Sequence, residues 1–162
     1  MSDSVTKTTL CYICRDDSWL FIHKARENDP NSGYYLGVGG HFEEGETDLE
    51  CIKREIYEET TLNPDDEIKN LRYAGEVYFR NDIYGDEKMI VFKADINTQR
   101  EICPGNCPEG NLTWRKISDT DKLPVWEGDR IMFECLKDEK PFLLELIYEG
   151  KKLIRSIRHD VM

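Results

Sequence analysis

The chain has 162 residues, which corresponds to about one domain at a typical size of roughly 150 residues. Hydrophobic residues make up 39% of it and charged residues 34%, a balance typical of a folded globular domain rather than a disordered chain. The 33 acidic and 22 basic side chains leave a formal net charge of −11, which disfavours nucleic acid or anionic lipid as a bulk partner. The protein must therefore either avoid phosphate groups or use metal ions to bind them.

The sequence predicts neither a membrane span nor a secretion signal. No apolar stretch approaches the roughly 18 residues that a span needs, and the first residues lack a basic segment followed by an apolar one. We expect a single domain over residues 1–162, located in the cytoplasm. The sequence does not indicate an oligomeric state.

Strands and one helix are predicted in the first half of the chain. In order, the sequence predicts strands at 8–14 and 19–23, a surface loop at 26–33, a glycine-rich apolar run at 34–40 and a helix at 47–60. The helix is predicted because Leu49, Ile52 and Ile56 recur at i, i+3 and i+7. Asn63 and Pro64 should end it.

The second half is predicted to hold further strands and a second helix. The predictions are strands at 71–79, 88–96 and 111–117, loops at 81–87 and 102–110, a helix at 129–136 and a hairpin of strands 142–148 and 152–157. In the helix, Ile131 and Cys135 share one face, as do Met132 and Leu136.

The six cysteines raise the question of a zinc site, since Cys11 and Cys14 form one pair and Cys103 and Cys107 another. Cys11 and Cys14 are three positions apart in a predicted strand, and an odd separation points two side chains to opposite faces. We therefore expect reduced thiols that pack as small apolar side chains. Zinc is the weakest of the functional alternatives.

Three glutamates, Glu55, Glu58 and Glu59, crowd one face of the first predicted helix at i, i+3 and i+4. Like charges at this spacing destabilise a helix by roughly 0.2–0.5 kcal/mol per pair. Two interpretations remain open, a solvated acidic face or a cation site. The glycines at 37, 39 and 40 favour the second, because they allow backbone carbonyls to approach the carboxylates and hard cations take oxygen ligands.

These glutamates belong to a longer pattern over residues 40–62. Gly40, Glu46, the Arg54-Glu55 pair, the Glu58-Glu59 pair and Leu62 stand at spacings that resemble the Nudix box of the Nudix hydrolases. The sequence departs from the box at Thr61, where the family has a glycine suited to a left-handed helix end. Because a β-branched residue disfavours that conformation, we expect the helix to run on towards the Asn-Pro pair, with activity retained.

The resemblance implies a metal site. Glu55 and Glu59 would bind Mg²⁺ or Mn²⁺, with Glu58 as a further ligand or as the activator of the attacking water. The carbonyl of Gly39 would supply another oxygen. Glu109 resembles the downstream glutamate that completes the site in some family members, and the alternative is a solvated loop residue.

The resemblance also implies a reaction, the hydrolysis of a phosphoanhydride in a nucleoside diphosphate linked to another group. Metal ions neutralise the phosphates and lower the pKa of a bound water, so that a carboxylate can remove its proton. Arg54 and Glu46 would hold loop and helix in register. Lys24 and Arg26 are candidate phosphate contacts, with a solvated basic pair as the alternative.

The resemblance extends beyond the box. Segments 33–42, which overlaps its start, and 123–130 resemble the MutT-type branch, which hydrolyses oxidised purine nucleoside triphosphates. By this resemblance Trp126 would stack on the base and Asp129 would meet its hydrogen-bonding edge. The alternatives are a core anchor for Trp126 and a helix N-cap for Asp129. Leu36 stands where some relatives carry an asparagine that reads the base, and its side chain cannot form hydrogen bonds.

We therefore expect an α+β fold, a Nudix-type α/β/α sandwich around a mixed β-sheet. The expected activity is a Mg²⁺-dependent pyrophosphohydrolase that cleaves a small (deoxy)nucleoside triphosphate, with 8-oxo-dGTP as the leading substrate, to the monophosphate and pyrophosphate. ADP-ribose and dinucleoside polyphosphates are alternative substrates, and a capped RNA end is disfavoured by the acidic surface. A nucleotide-binding sensor without catalysis is the alternative from another class.

Overall fold

The computed structural model describes residues 5–25, 27–102 and 110–159. The strands within them are β1 (Thr6–Arg15), β2 (Ser18–Lys24), β3 (Tyr35–Leu36), β4 (Val38–His41), β5 (Ile68–Asn81), β6 (Glu87–Ile96), β7 (Gly110–Lys116), β8 (Phe142–Glu149) and β9 (Lys152–His159). The helices are α1 (Asp48–Thr60), α2 (Glu127–Lys137) and a 3₁₀ helix (Ile117–Lys122).

The described strands form one mixed sheet. Its order is β3-β2-β1-β6-β5-β8-β9, with β4 paired to β1 and β7 paired to β2. The β1–β6 and β5–β8 pairs are parallel and the others antiparallel. The helices α1 and α2 bury their apolar faces in separate clusters on the two sides of the sheet, which confirms the expected α/β/α sandwich. Neither has the length and apolar character to cross a membrane, as far as the described ranges go.

The alternation of side chains along β1 separates the two cores. Cys11 is buried on the α1 side, whereas Tyr12 is buried on the α2 side, where its ring meets Phe133 edge-on at 5.7 Å between centroids. Cys14 also packs on the α2 side. Cys11 and Cys14 are free thiols on opposite faces of the sheet, as their odd separation predicts.

The glycine-rich run forms β3, which pairs with β2, and β4, which passes very close to β1. A Cβ atom at Gly39 would lie 2.0 Å from the carbonyl oxygen of Thr9, so only glycine allows β4 to pair here. The 3₁₀ helix was not among the predicted elements, because its six polar-rich residues carry no apolar period.

The end of α1 contradicts the expected extension of the helix. The helix ends at Thr60, and Thr61 adopts the left-handed conformation with φ 63° and ψ 5°. The Thr61 amide donates to the carbonyl of Tyr57 at 2.9 Å, and Arg100 donates to the Thr61 carbonyl at 3.1 Å. The next residue, Leu62, is fully buried. Burial of a leucine contributes roughly 2 kcal/mol, which offsets the roughly 1–2 kcal/mol of a left-handed β-branched residue.

Candidate active site

The start of α1 fixes the orientation of the acidic cluster, which we define as Glu55, Glu58 and Glu59. The Thr47 hydroxyl accepts from the Glu50 amide at 3.1 Å, and the Glu50 carboxylate accepts from the Thr47 amide at 2.9 Å. This reciprocal capping box sets where the helix begins and therefore which face carries the cluster.

Arg54 lies at the centre of an ion-pair network beside the cluster. Its Nε and Nη2 atoms donate to the two oxygens of Glu46 at 2.6 and 2.9 Å, and Nη1 donates to Glu55 at 2.9 Å and to Glu58 at 3.1 Å. Nη2 also donates to the carbonyl of His41 at the end of β4. The hydrogen bonds from Arg54 lower the pKa of Glu46 to about 2. The expected pair of Arg54 and Glu46 thus joins helix, loop and strand.

Glu55 and Glu59 are packed against the glycines of β4. A Cβ at Gly40 would lie 2.4 Å from a Glu55 carboxylate oxygen, so this carboxylate occupies the space that glycine leaves free. Glu59 is only 7% exposed and accepts a hydrogen bond from the Gly39 amide at 2.8 Å. Burial raises the pKa of Glu55, since a desolvated carboxylate is less stable when charged.

The donor set of the acidic cluster suits a hard divalent cation. Mg²⁺ and Mn²⁺ prefer carboxylate and carbonyl oxygens, which Glu55, Glu59 and the adjoining glycine backbone offer. Across the described ranges, no three His, Cys, Asp or Glu side chains converge as a ready metal site. Arg54 instead holds oxygens of Glu55 and Glu58, so a cation that binds Glu55 has to compete with this guanidinium.

A cavity of about 280 Å³ begins at this acidic face and extends between the sheet and α2. Six of the predicted site residues line it, namely Lys24, Leu36, Gly39, Glu59, Trp126 and Asp129. Glu46, Arg54, Glu55 and Glu58 do not line it. Glu55 lies next to the cavity, since its carboxylate packs against Gly40, which lines it.

Trp126 is both a core residue and a wall of the cavity. It is 8% exposed, and four aromatic rings meet it edge-on, those of Tyr34, Phe79, Tyr84 and Tyr148. Its indole N–H donates to the Asn31 side chain at 2.6 Å. The two interpretations of Trp126 therefore do not exclude each other.

Asp129 is not an N-cap, which corrects the alternative drawn from the sequence. The N-cap of α2 is Trp126, and Asp129 lies in the first turn, where its amide donates to the Trp126 carbonyl. The side chain is 8% exposed and lines the cavity. Burial raises the pKa of Asp129 to about 7, so near neutral pH this carboxyl group can donate as well as accept a hydrogen bond.

Two predicted site residues, Arg26 and Glu109, lie outside the described residues. The same is true of Cys103 and Cys107 of the zinc alternative. Their contributions to a phosphate or metal site stay predictions.

The cavity also has polar residues that the sequence interpretation missed, among them Thr8, Asn31 and Glu87. Asn31 belongs to the predicted surface loop and Glu87 to a predicted turn. A signal for Glu87 was available, because it alternates with Met89 and Val91 on the α2 side of β6. An acidic residue on an apolar strand face is a candidate for a binding pocket.

Comparisons with known proteins point to one family. A model of the NUDIX domain matches residues 5–134. The chain is 29% identical over 126 residues to the uncharacterized Nudix hydrolase YvcI of Bacillus subtilis, covering 76% of this chain and 73% of that protein. It is 29% identical over 135 residues to an oxidized purine nucleoside triphosphate hydrolase of Danio rerio, covering 80% and 79%. A NAD-capped RNA hydrolase NudC of Haemophilus influenzae is 36% identical over 86 residues, which are 53% of this chain and 30% of that protein.

Solved structures show the same architecture. A MutT protein from Bacillus halodurans superposes with a TM-score of 0.81 at 26% identity, covering 95% of this chain and 97% of that chain. A binary complex of a C. elegans Ap4A hydrolase superposes with a TM-score of 0.68 at 13% identity, covering 83% and 96%, which demonstrates a shared fold alone. The chain therefore belongs to the Nudix hydrolase family, whose members act on pyrophosphate bonds of nucleotide derivatives and generally use divalent metal ions such as Mg²⁺ or Mn²⁺.

Proposed function

We propose that this chain is a Mg²⁺-dependent pyrophosphohydrolase of (deoxy)nucleoside triphosphates, with 8-oxo-dGTP as the first candidate substrate. The observation that carries the proposal is one cavity lined by two groups of residues. We call the part with Glu59 and Gly39 its acidic end and the part with Trp126 and Asp129 its aromatic end. A cavity of this kind can hold a base in its aromatic part while the phosphates reach the acidic helix.

The acidic end supplies the metal site in this proposal. Glu55, Glu58, Glu59 and the Gly39 carbonyl would hold the ion, and Glu109 would add a further carboxylate. When bound, such an ion would neutralise the polyphosphate and lower the pKa of a water ligand.

The protein groups around the ion have separate roles. Glu58 is the most accessible carboxylate of the cluster, with 51% of its side chain exposed, and it is our candidate for removing the proton of the attacking water. Arg54 and Glu46 hold the helix against β4. Lys24 lines the cavity and would contact a phosphate, as would Arg26.

The aromatic end supplies base recognition in this proposal. Trp126 offers an indole surface for stacking, Leu36 an apolar contact, and Asp129 a carboxyl group for the N–H donors of a purine. 8-Oxoguanine carries an N–H where guanine has only the N7 acceptor. The Danio rerio relative, whose name specifies oxidized purine nucleoside triphosphates, supports this choice of substrate.

The test is a panel of canonical, oxidised and X-linked nucleotides with Mg²⁺, comparing kcat/KM and identifying the products. We expect the monophosphate and pyrophosphate, and a loss of turnover in Glu55→Gln and Glu58→Gln. Glu134→Gln, an exposed glutamate on α2, is the control and should retain full turnover. Full activity of the two cluster variants would refute the proposal, and binding without turnover across the panel would favour a sensor.

The same panel separates the alternative substrates. The Haemophilus influenzae relative is named for NAD-capped RNA, so a dinucleotide with an internal pyrophosphate is the second candidate. A higher kcat/KM for ADP-ribose, NAD or a dinucleoside polyphosphate than for any triphosphate would replace our first candidate.

A further inference from the structure

Besides Asp129 and Glu59, a third carboxylate, that of Glu87, lines the cavity. Glu87 is the first residue of β6, and β6 pairs with β1 in parallel. This pairing brings Thr8 to the Glu87 side chain, where the Thr8 hydroxyl donates to Glu87 Oε2 at 2.7 Å. The carboxylate is thus held in place by the sheet.

Glu87 retains capacity to accept hydrogen bonds from a ligand. A threonine hydroxyl donates one hydrogen, whereas a carboxylate has two oxygens and about four acceptor positions. Among the described residues, no lysine, arginine or histidine forms an ion pair with Glu87. A partly buried acceptor that no described cation pairs with favours a ligand that brings its own N–H donors.

The surroundings of Glu87 and Asp129 define what such a ligand looks like. The rest of this part of the cavity is mainly apolar and aromatic, with Tyr12, Leu36, Phe79, Met89, Trp126 and Tyr148 in its lining. The charge of Glu87 contributes to the raised pKa of Asp129, after burial as the main cause. A flat, neutral ring with adjacent N–H donors would satisfy both carboxyl groups.

We infer that Glu87 is a specificity-determining residue that accepts an N–H of the base and selects purines with both a ring N–H and an exocyclic 2-amino group, as in guanine and 8-oxoguanine. This inference rests on the proposed function, because it assumes that the cavity holds the base. Adenine presents one amino donor beside an acceptor on the same edge, and hypoxanthine lacks the 2-amino group. Either base leaves a carboxyl oxygen without a partner, which is unfavourable in a desolvated site.

The test compares dGTP with dITP, which differ only in the 2-amino group. We expect the wild type to prefer dGTP in kcat/KM by about 10- to 100-fold, the range for a hydrogen bond to a charged group. Glu87→Met should reduce the ratio to near one, Glu87→Gln should leave an intermediate ratio, and Thr8→Val should lower it a few-fold. Glu149→Gln, at an exposed strand end, should leave it unchanged.

The ratio of two substrates on one enzyme does not depend on how much of a variant is folded, so it isolates recognition from stability. An equal kcat/KM for dGTP and dITP in the wild type, or an unchanged preference in Glu87→Met, would overturn the inference while leaving the proposed function intact. Absence of triphosphate turnover would instead overturn the proposed function. In that case calorimetric binding of dGMP and dIMP to the same proteins gives the corresponding ratio, and its loss in Glu87→Met would still support the role of Glu87.

Discussion

The acidic cluster on α1 and the aromatic end of the cavity stabilise acidic side chains in different ways. Beside the acidic cluster, Arg54 neutralises three glutamates through charged hydrogen bonds, and the pKa of Glu46 falls to about 2. At the aromatic end, Asp129 is buried among rings, and its pKa rises to about 7. Arg54 thus keeps the Glu46 carboxylate charged, while burial at the aromatic end favours a neutral Asp129 carboxyl group, which base recognition by hydrogen bonds can use.

The largest expected effect comes from removing the aromatic anchor. Trp126→Ala should lower the free energy of unfolding by about 3–5 kcal/mol, the range for a large aromatic side chain in a core, and raise KM for the nucleotide. Trp126→Phe keeps a ring but loses the hydrogen bond to Asn31, so both effects should be smaller. Denaturant unfolding and steady-state kinetics measure them. A stability loss under about 1 kcal/mol would mean that the aromatic end does not depend on Trp126.

The stability and activity that the acidic cluster provides should depend on Arg54. Arg54→Ala leaves Glu46, Glu55 and Glu58 without their shared partner, and we expect a stability loss of about 2–3 kcal/mol with kcat lowered about 10- to 100-fold. Arg54→Lys should recover little of this stability or kcat, because an ammonium cannot form the two-pronged contact with Glu46.

Arg80→Ala is the matched control for Arg54, since Arg80 forms an exposed ion pair with Glu145. Such pairs contribute about 0–1 kcal/mol, so this variant should be nearly neutral in chemical unfolding and in kcat. Equal effects of the two alanine variants would contradict a special role for the Arg54 network.

The contrast in protonation predicts a pH dependence of stability. An unfolded aspartate ionises near pH 4, whereas Asp129 in the folded chain keeps its proton up to a pKa of about 7. Between these values the folded state binds more protons, so the free energy of unfolding should fall as pH rises, by about 2 kcal/mol from pH 5 to pH 7. Asp129→Asn should remove this slope. Unfolding curves at several pH values test it, and an identical slope in the variant would show that Asp129 is already ionised at pH 5.

The smallest effect concerns the end of the helix that carries the acidic cluster. Thr61→Gly should stabilise the protein by about 1 kcal/mol, because glycine adopts the left-handed conformation without strain, and activity should be retained. Thr60→Gly, one residue earlier within α1, should have the opposite sign, since glycine weakens a helix interior and removes the Thr60 hydroxyl that bonds the Ile56 carbonyl. Thermal unfolding compares the two. A destabilised Thr61→Gly would mean that its contact with Arg100 outweighs the strain.

The acidic cluster was far more predictable from the sequence than the aromatic end of the cavity. The placement of Arg54, Glu55, Glu58 and Glu59 follows from helix periodicity, which acts between residues three or four apart. The same local reasoning predicted the wrong backbone conformation for Thr61. Burial of Leu62 overrides the conformational preference of Thr61, the residue before it.

The sequence by itself determined the acidic helix, its pairing of Arg54 with Glu46 and the glycines that lie against it, because these depend on short-range spacing and on sterics at single positions. Only the tertiary structure decided that Thr8, Asn31, Glu87 and Asp129 share one cavity, because these residues are far apart in the chain. Even Thr8 and Glu87 meet only through the parallel pairing of β1 with β6. The raised pKa of Asp129 was likewise decided at this level, because desolvation depends on all the groups that surround a side chain and not on its neighbours in sequence.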